Sequence, residues 1–386
     1  MANNNKHTGP NVPALRFPEF SGEWIESKLG DIADFSKGAG ISKDQRSEEG
    51  NPCILYGELY TRYKSEVITN VFSKTALPDS ELVKSKSNDI IIPASGETAE
   101  DIATARCVPF DNILLGGDLN IIRLHEQDGK FFSYQLNGVR KYDIATVAQG
   151  VSVVHLHAGD LKGITVKYPS HIAEQEKISQ ILGLIDDRIA TQSKIIEDKE
   201  TLYKAISNIL FSHYANSSPT YKLGDLANLY QPETIPSTKL SRGGRYLVYG
   251  ANGIIGRYDK YNHEKSQICL TCRGNTCGKI NFSQPYSWIT GNAMVINIDN
   301  NINNIDKRFL YHYMKNYNFT PFISGSGQPQ IIRSTVEKLP VLNVNIQTQK
   351  KIASILDSIV ISIDIARKKV DMDQNVKKYL LENLFI

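Results

Sequence analysis

The sequence is poor in cysteine, has no long apolar run, and carries none of the short motifs that mark common catalytic sites. Five cysteines in 386 residues, an odd number, suit reduced thiols in a reducing compartment rather than a disulfide framework. No stretch of about 18 apolar residues occurs, which gives no sign of a transmembrane helix. The opening MANNNKHTGPNVPALRFPEF lacks the apolar core of a signal peptide. Together these features lead us to expect a cytoplasmic protein. There is no P-loop and no Gly-x-Ser-x-Gly, and the Asn-Pro-Pro-aromatic run expected of a chain that methylates adenine itself is missing. A net charge of +3 neither demands nor excludes a nucleic-acid partner, since two limited phosphate-facing patches can be balanced elsewhere.

Four features resemble sites and are better read otherwise. FSKGAG (35–40) lacks the third glycine of a dinucleotide fingerprint and reads as an ordinary loop. PDSELVK (78–84) places Asp79 and Glu81 too close together, and Lys84 too far on, for a metal-dependent nuclease. Cys269, Cys272 and Cys277, with His263 nearby, suggest zinc. An internal repeat, set out below, puts Ile91, Ala94 and Ala99 at the equivalent positions, so these cysteines read as small packing residues. His155 and His157 alternate on a strand-like run and read as structural. We expect no metal site in this chain.

What is present is a repeated helical seam. Ile178, Leu182, Ile185, Ile189, Gln192, Ile196, Lys199, Tyr203, Ile206 and Leu210 step alternately by four and three residues. Ile352, Leu356, Ile359, Ile363, Ala366, Val370, Asp373, Lys377, Leu380 and Leu384 repeat the pattern 174 residues later. This is the spacing of a coiled coil. The polar members Gln192, Lys199, Asp373 and Lys377 either face solvent where the helices splay, the simpler expectation, or fix an antiparallel register. Ser170 is placed to cap the first helix, and the polar segment SHYANSSPT (212–220) reads as a hinge after it.

Two globular stretches precede the two helices. Both are rich in short apolar runs broken by Gly, Asn, Asp and Ser, the signature of strands and turns. They repeat as well. KLGDIA (28–33) matches KLGDLA (222–227), Tyr56-Gly57 matches Tyr249-Gly250, and Gly96 and Thr98 match Gly274 and Thr276. The offset falls from 193 to 178 between the last two pairs, so the first globule carries about fifteen extra residues there. A shared scaffold with divergent loops fits two readers of different targets.

The ordered set of LRFPEFSGEW (15–24), KLGD at the start of each globule, and the approaches ITVKYPSHIAEQEKISQIL (164–182) and LPVLNVNIQTQKKIASIL (339–356) resembles the specificity subunit of type I restriction–modification systems. Both approaches lead from a Pro-containing strand to Gln, Lys-Ile and Ile-Leu: Gln175, Lys177, Ile178, Ile181, Leu182 and Gln349, Lys351, Ile352, Ile355, Leu356. The resemblance implies an α+β fold with a pseudo-twofold internal repeat. It would comprise an N-terminal arm (1–22), a first target recognition domain (23–169), a central helix (170–214), a second recognition domain (215–344) and a C-terminal helix (345–386). The helices would pack as an antiparallel coiled coil. Each domain would bind half of a split double-stranded DNA site, and the helices would set the spacer and dock two methyltransferase subunits. Restriction (motor–nuclease) subunits would join through these. The chain would be a non-catalytic targeting subunit, binding no cofactor itself. S-adenosylmethionine, ATP and Mg would belong to the partners.

Helix length fits that role. The 33 residues from Ile178 to Leu210 span about 50 Å, or roughly 14 or 15 base pairs. Base contacts are expected from loops at strand ends. In the first domain these are Lys37, Tyr56, Glu58, Tyr60, Arg62, Glu97, Thr98, Gln149 and Ser152. In the second they are Arg242, Arg245, Tyr249, Asn252, Arg273, Asn275, Thr276, Gln328, Gln330 and Arg333. GSGQPQIIR (325–333) stands out, because its glycines allow close backbone approach and two glutamines flank a proline. Two other readings stay open: a specificity subunit for a partner that fuses nuclease and methylase, and a coiled-coil adaptor whose β-rich modules bind protein.

Overall fold

The computed structural model describes residues 11–78, 80, 82–150, 153–215, 218–325 and 327–386. They form two compact units, the first ending at Gln192 and including Lys369–Ile386, the second spanning Ser193–Lys368. Each unit holds one globule and a segment of both long helices, Ile172–Ala215 and Ile346–Asn383.

The first globule is closed at its root by strand Ile25–Lys28 pairing antiparallel with Thr165–Tyr168. Its main sheet is antiparallel, in the order Ala33–Lys37, Leu119–Leu124, Asp89–Pro93, Arg106–Val108. The strand Asp89–Pro93 is buried on both faces, which explains its unbroken apolar run. A second sheet contains one parallel pair, Asn51–Ile54 with Leu114–Leu115. Helix Gly129–Asn137, capped by the Asp128 carboxylate, brings Phe131, Phe132 and Tyr134 into the core. Trp24, Phe131 and Phe385 meet there at centroid distances of 5.0–6.5 Å. Each such buried ring contributes roughly 1.5–3 kcal/mol.

The second globule repeats this plan. Thr220–Lys222 pairs with Pro340–Leu342 at the root. The main sheet runs Asn228–Tyr230, Ala293–Asn297, Ile268–Thr271, Ile280–Phe282. The parallel pair is Tyr246–Gly250 with Trp288–Ile289, and Asp306 caps helix Lys307–Asn316. The extra residues of the first globule form helix Glu58–Thr61 and strand Ser73–Thr75, where the second has the hairpin strand Gly253–Tyr258.

The seam is as the spacing predicts. All twenty positions are buried or half-buried. Within the first unit Asp186 meets Lys377 and Arg188 meets Asp373, and within the second Lys199 meets Ser362. Partner numbers fall as the helix number rises, so the helices run antiparallel. The solvated reading of the polar seam residues is corrected. Asp373 is buried against Arg188, Lys377 lies between Asp186 and Glu66, and Lys199 donates to Ser362 at 3.1 Å.

The N-terminal arm is also fixed. Arg16 binds Glu174 of the central helix through two hydrogen bonds of 2.8 Å, both side chains buried. Glu174 thus answers the arm as well as the positive end of the helix. The central helix continues through His213–Ala215, so it takes up part of the polar segment read as a hinge. No described helix is long and apolar enough to cross a membrane.

Candidate nucleic-acid interface

In the second unit the main strand Ile268–Thr271 leads on to Arg273, and residues 327–331 lie back against it. Arg273 pairs with Gln330 and Gln330 with Ser324. The Ile331 N–H donates to the Cys272 carbonyl at 3.0 Å, and the Gly274 N–H to Pro329 at 2.9 Å. Gly325 has a φ of +90°, and a Cβ there would lie 2.6 Å from the Gln328 carbonyl oxygen, so this turn requires glycine. The result gathers Arg273, Asn275, Gln328 and Gln330, all exposed, with half-buried Thr276. Asn252 lies at a hairpin turn whose Ala251 carbonyl accepts from Thr271, two residues before Arg273. Arg242 and Arg245 are exposed ahead of strand Tyr246–Gly250, with the Arg245 guanidinium 5.3 Å from the Tyr246 ring centroid.

Two residues expected here do other work. Tyr249 is buried with Cys269, Ile289 and Val295, and its hydroxyl accepts the Gln284 N–H at 3.1 Å. Arg333 pairs with Glu337 at 2.6 Å and lies in a cleft beside Gly224–Asn228 and Asn297–Asn301.

The first unit builds the same frame with different side chains. Ser95 pairs with His155 and Gly96 with Val154; Gln149 bridges to His155. The Leu156 N–H donates to Ala94 at 2.9 Å, as Ile331 does to Cys272. A cleft of about 550 Å³ brings together Tyr56, Tyr60 and Glu97 with Ser42, Lys43 and Arg46. Burial, with Tyr56, Glu97 and Asp101 nearby, pushes the Tyr60 hydroxyl up, so it stays a hydrogen-bond donor at neutral pH. Glu58 lines this cleft but is buried. Its carboxylate accepts from the Leu55 N–H, Ser73 and Arg62, so it braces the loop from inside. Arg62 also sits 4.7 Å over the Phe72 ring. The Thr98 hydroxyl caps helix Ala99–Ile102. Lys37 is exposed at its strand end and Gln149 is exposed beside His155. Ser152, like Asp79 and Glu81, lies outside the described residues.

The other look-alikes resolve as packing. A Cβ on Gly38 of FSKGAG would overlap the Gly116 carbonyl, so that glycine permits two backbones to meet. Cys269 is buried, and burial pushes its thiol up to about 12. Cys272 occupies the place of Ala94, as the repeat predicts. His263 is buried, stacked on Tyr230 and hydrogen-bonded to its hydroxyl at 2.9 Å. Burial pushes the His263 imidazole down. Among the described residues no group of three or more His, Cys, Asp or Glu is arranged to hold a metal ion.

A duplicated frame with exposed, unlike loop ends is what a two-part reader needs, and the comparisons with known proteins decide its kind. The model of the type I restriction modification DNA specificity domain matches residues 21–198 and again 217–371. The chain belongs to this family. It is similar to a putative type I restriction enzyme specificity subunit of Haemophilus influenzae, 28% identical over 142 residues. That match covers 36% of this chain and 36% of the Haemophilus protein, so it spans about a third of that relative's length. It is also similar to the type I restriction enzyme MjaVIII specificity subunit of Methanocaldococcus jannaschii, 22% identical over 423 aligned positions. That match covers 96% of this chain and 93% of the relative. The solved type I restriction-modification S subunit from M. genitalium shares the fold at a TM-score of 0.72 and 20% identity, covering 97% of this chain and 99% of that one. This specificity subunit is therefore a targeting component that works within a DNA-directed complex.

Sequence reasoning did not single out several residues of the candidate interface. Ser42, Lys43 and Arg46 join the first cleft from around the short helix Lys43–Gln45, which has its counterpart at Ser237–Lys239, but no motif in the sequence marks them as facing it. His155, read as structural from the sequence, pairs with Ser95 as Gln330, 175 residues later, pairs with Arg273.

Proposed function

We propose that each unit reads one half of a bipartite, asymmetric double-stranded DNA site. In the second unit Arg273, Asn275, Gln328 and Gln330 face base edges, where arginine suits guanine and Asn or Gln suits adenine. In the first, Tyr56, Tyr60 and Glu97 do so, with Lys43 and Arg46 on phosphates. The paired helices set the gap between half-sites and seat two methyltransferase subunits, through which motor–nuclease subunits join. S-adenosylmethionine, ATP and Mg act on those partners.

The observation that carries this reading is one frame used twice with different occupants. The strand-to-loop pairing of Arg273 with Gln330 recurs as Ser95 with His155. The experiment is sequencing of modified adenines in a host carrying this chain and its cognate methyltransferase. A two-part motif with a fixed unspecified gap is expected. A continuous motif, or salt-insensitive binding to protein alone, favours the adaptor reading instead.

A further inference from the structure

The two histidines first read as structural occupy a place that the duplication makes informative. His155 and His157 flank buried Leu156, so both side chains point outward from the same short run. Their rings stack, with centroids 6.4 Å apart and planes 10° from parallel. The backbone of His155 is held on both sides: it pairs with Ser95, and it exchanges hydrogen bonds of 2.7 and 2.9 Å with Gln149. Among the described residues no side-chain hydrogen bond engages either imidazole. A rigid backbone under an exposed, stacked and uncommitted donor serves no evident folding need.

The second unit fixes the correspondence at three successive residues. Gln330 pairs with Arg273 as His155 pairs with Ser95. Ile331 is buried and donates to Cys272 as Leu156 donates to Ala94. Ile332 precedes the short helix Arg333–Val336 as His157 precedes Ala158–Lys162. His155 and His157 therefore stand where Gln330 and Ile332 stand.

We propose that His155 is a specificity-determining residue of the first unit, its imidazole N–H donating to the acceptor edge of a purine, with His157 as the positioning residue stacked behind it. This rests on the reading of the units as half-site readers. An imidazole offers at least one N–H in every protonation state. Purines present N7, and guanine also O6, as acceptors in the major groove. His157 limits the rotation of its neighbour and so makes the donor directional. The two units thus place different chemistry at one frame position, an imidazole in the first and a carboxamide in the second.

The test uses the complex with the cognate methyltransferase and sequences modified sites for wild type, His155→Ala, His157→Ala and Gln330→Ala. With His155→Ala, discrimination at one purine position of one half-site falls about tenfold, in line with the loss of a base contact. His157→Ala weakens the same position less. Gln330→Ala changes only the other half-site. Wild-type specificity in His155→Ala, or a uniform loss over all sequences, overturns the inference while leaving the half-site reading intact. A wild-type complex that yields no two-part motif overturns both.

Discussion

Gln349 accepts the backbone N–H of Asp306 at 2.7 Å. Asp306 in turn caps the helix on which the second globule's core rings stand. The Gln349 amide also donates to the carbonyls of Asn304 and Val344. In the first unit Gln175 repeats the arrangement, accepting from Asp128 at 3.0 Å and donating to Pro169. The glutamine shared by both helix approaches thus locks each long helix to the capping residue of its own globule.

Both glutamines are buried, so truncation leaves backbone groups without partners. Gln349→Ala is expected to lower stability by about 1–3 kcal/mol, read as a lower denaturant midpoint at unchanged slope. Gln349→Glu keeps the acceptor but sets a carboxylate oxygen against the carbonyls of Asn304 and Val344, and should cost at least as much as alanine.

Lys377 lies between Glu66 and Asp186 on the seam, and Asp186 also accepts the Tyr134 hydroxyl at 2.8 Å. Burial pushes the Glu66 carboxyl up even with Lys377 beside it. Lys377→Ala strands two carboxylates and should cost about 3–5 kcal/mol. Adding Glu66→Gln and Asp186→Asn should recover much of that loss in the same denaturation assay. A Lys377→Ala protein as stable as wild type would contradict this account of the seam.

The second unit has a buried relay in which the Tyr203 hydroxyl meets His312 at 2.8 Å and His312 meets Asp357 at 2.8 Å. Burial holds the His312 imidazole below its ordinary value despite Asp357. The unfolded chain therefore binds this proton first as pH falls, and stability drops below about pH 6.5. Asp357, held down to about 2 by His312 and Arg308 against the opposing effect of burial, contributes stability above its unfolded value that is lost as pH falls toward 2. Thermal melting between pH 7 and 5 should show the first loss, and His312→Gln should flatten it.

Arg273→Ala should alter selectivity at one base pair of one half-site, because a bidentate guanine contact discriminates by about 1–3 kcal/mol. A loss spread evenly over all sequences would make Arg273 a phosphate contact.

Much of this was legible in the sequence because it obeys a period or a repeat. The seam appears through its four-three spacing, and the packing role of Cys272 through Ala94. Fixed turns such as the one at Gly325 appear through glycine. The rest depends on which way a side chain turns. Glu58 and Tyr249 look like loop residues by spacing, yet both are buried, and only the neighbouring Ser73 and Gln284 show why. The polar seam residues were misread for the same reason, since the acceptor for Lys377 at Glu66 is 311 residues away.

The helix segments that pass from one unit to the other, near Gln192 and Lys369, offer a test of the spacer. Inserting four residues at both places lengthens the pair by about 6 Å. The gap in the modified site should grow by roughly two base pairs. An unchanged gap would mean that the helices do not set it.

The central claim is that each unit reads its own half-site. Its most direct test replaces the first globule (23–169) by a second copy of residues 215–344 and sequences the modified adenines in a host that supplies the methyltransferase. The account predicts a two-part site whose halves carry the same bases, both matching the half that Arg273 and Gln330 read in the parent. An asymmetric site identical to the parent's would contradict it.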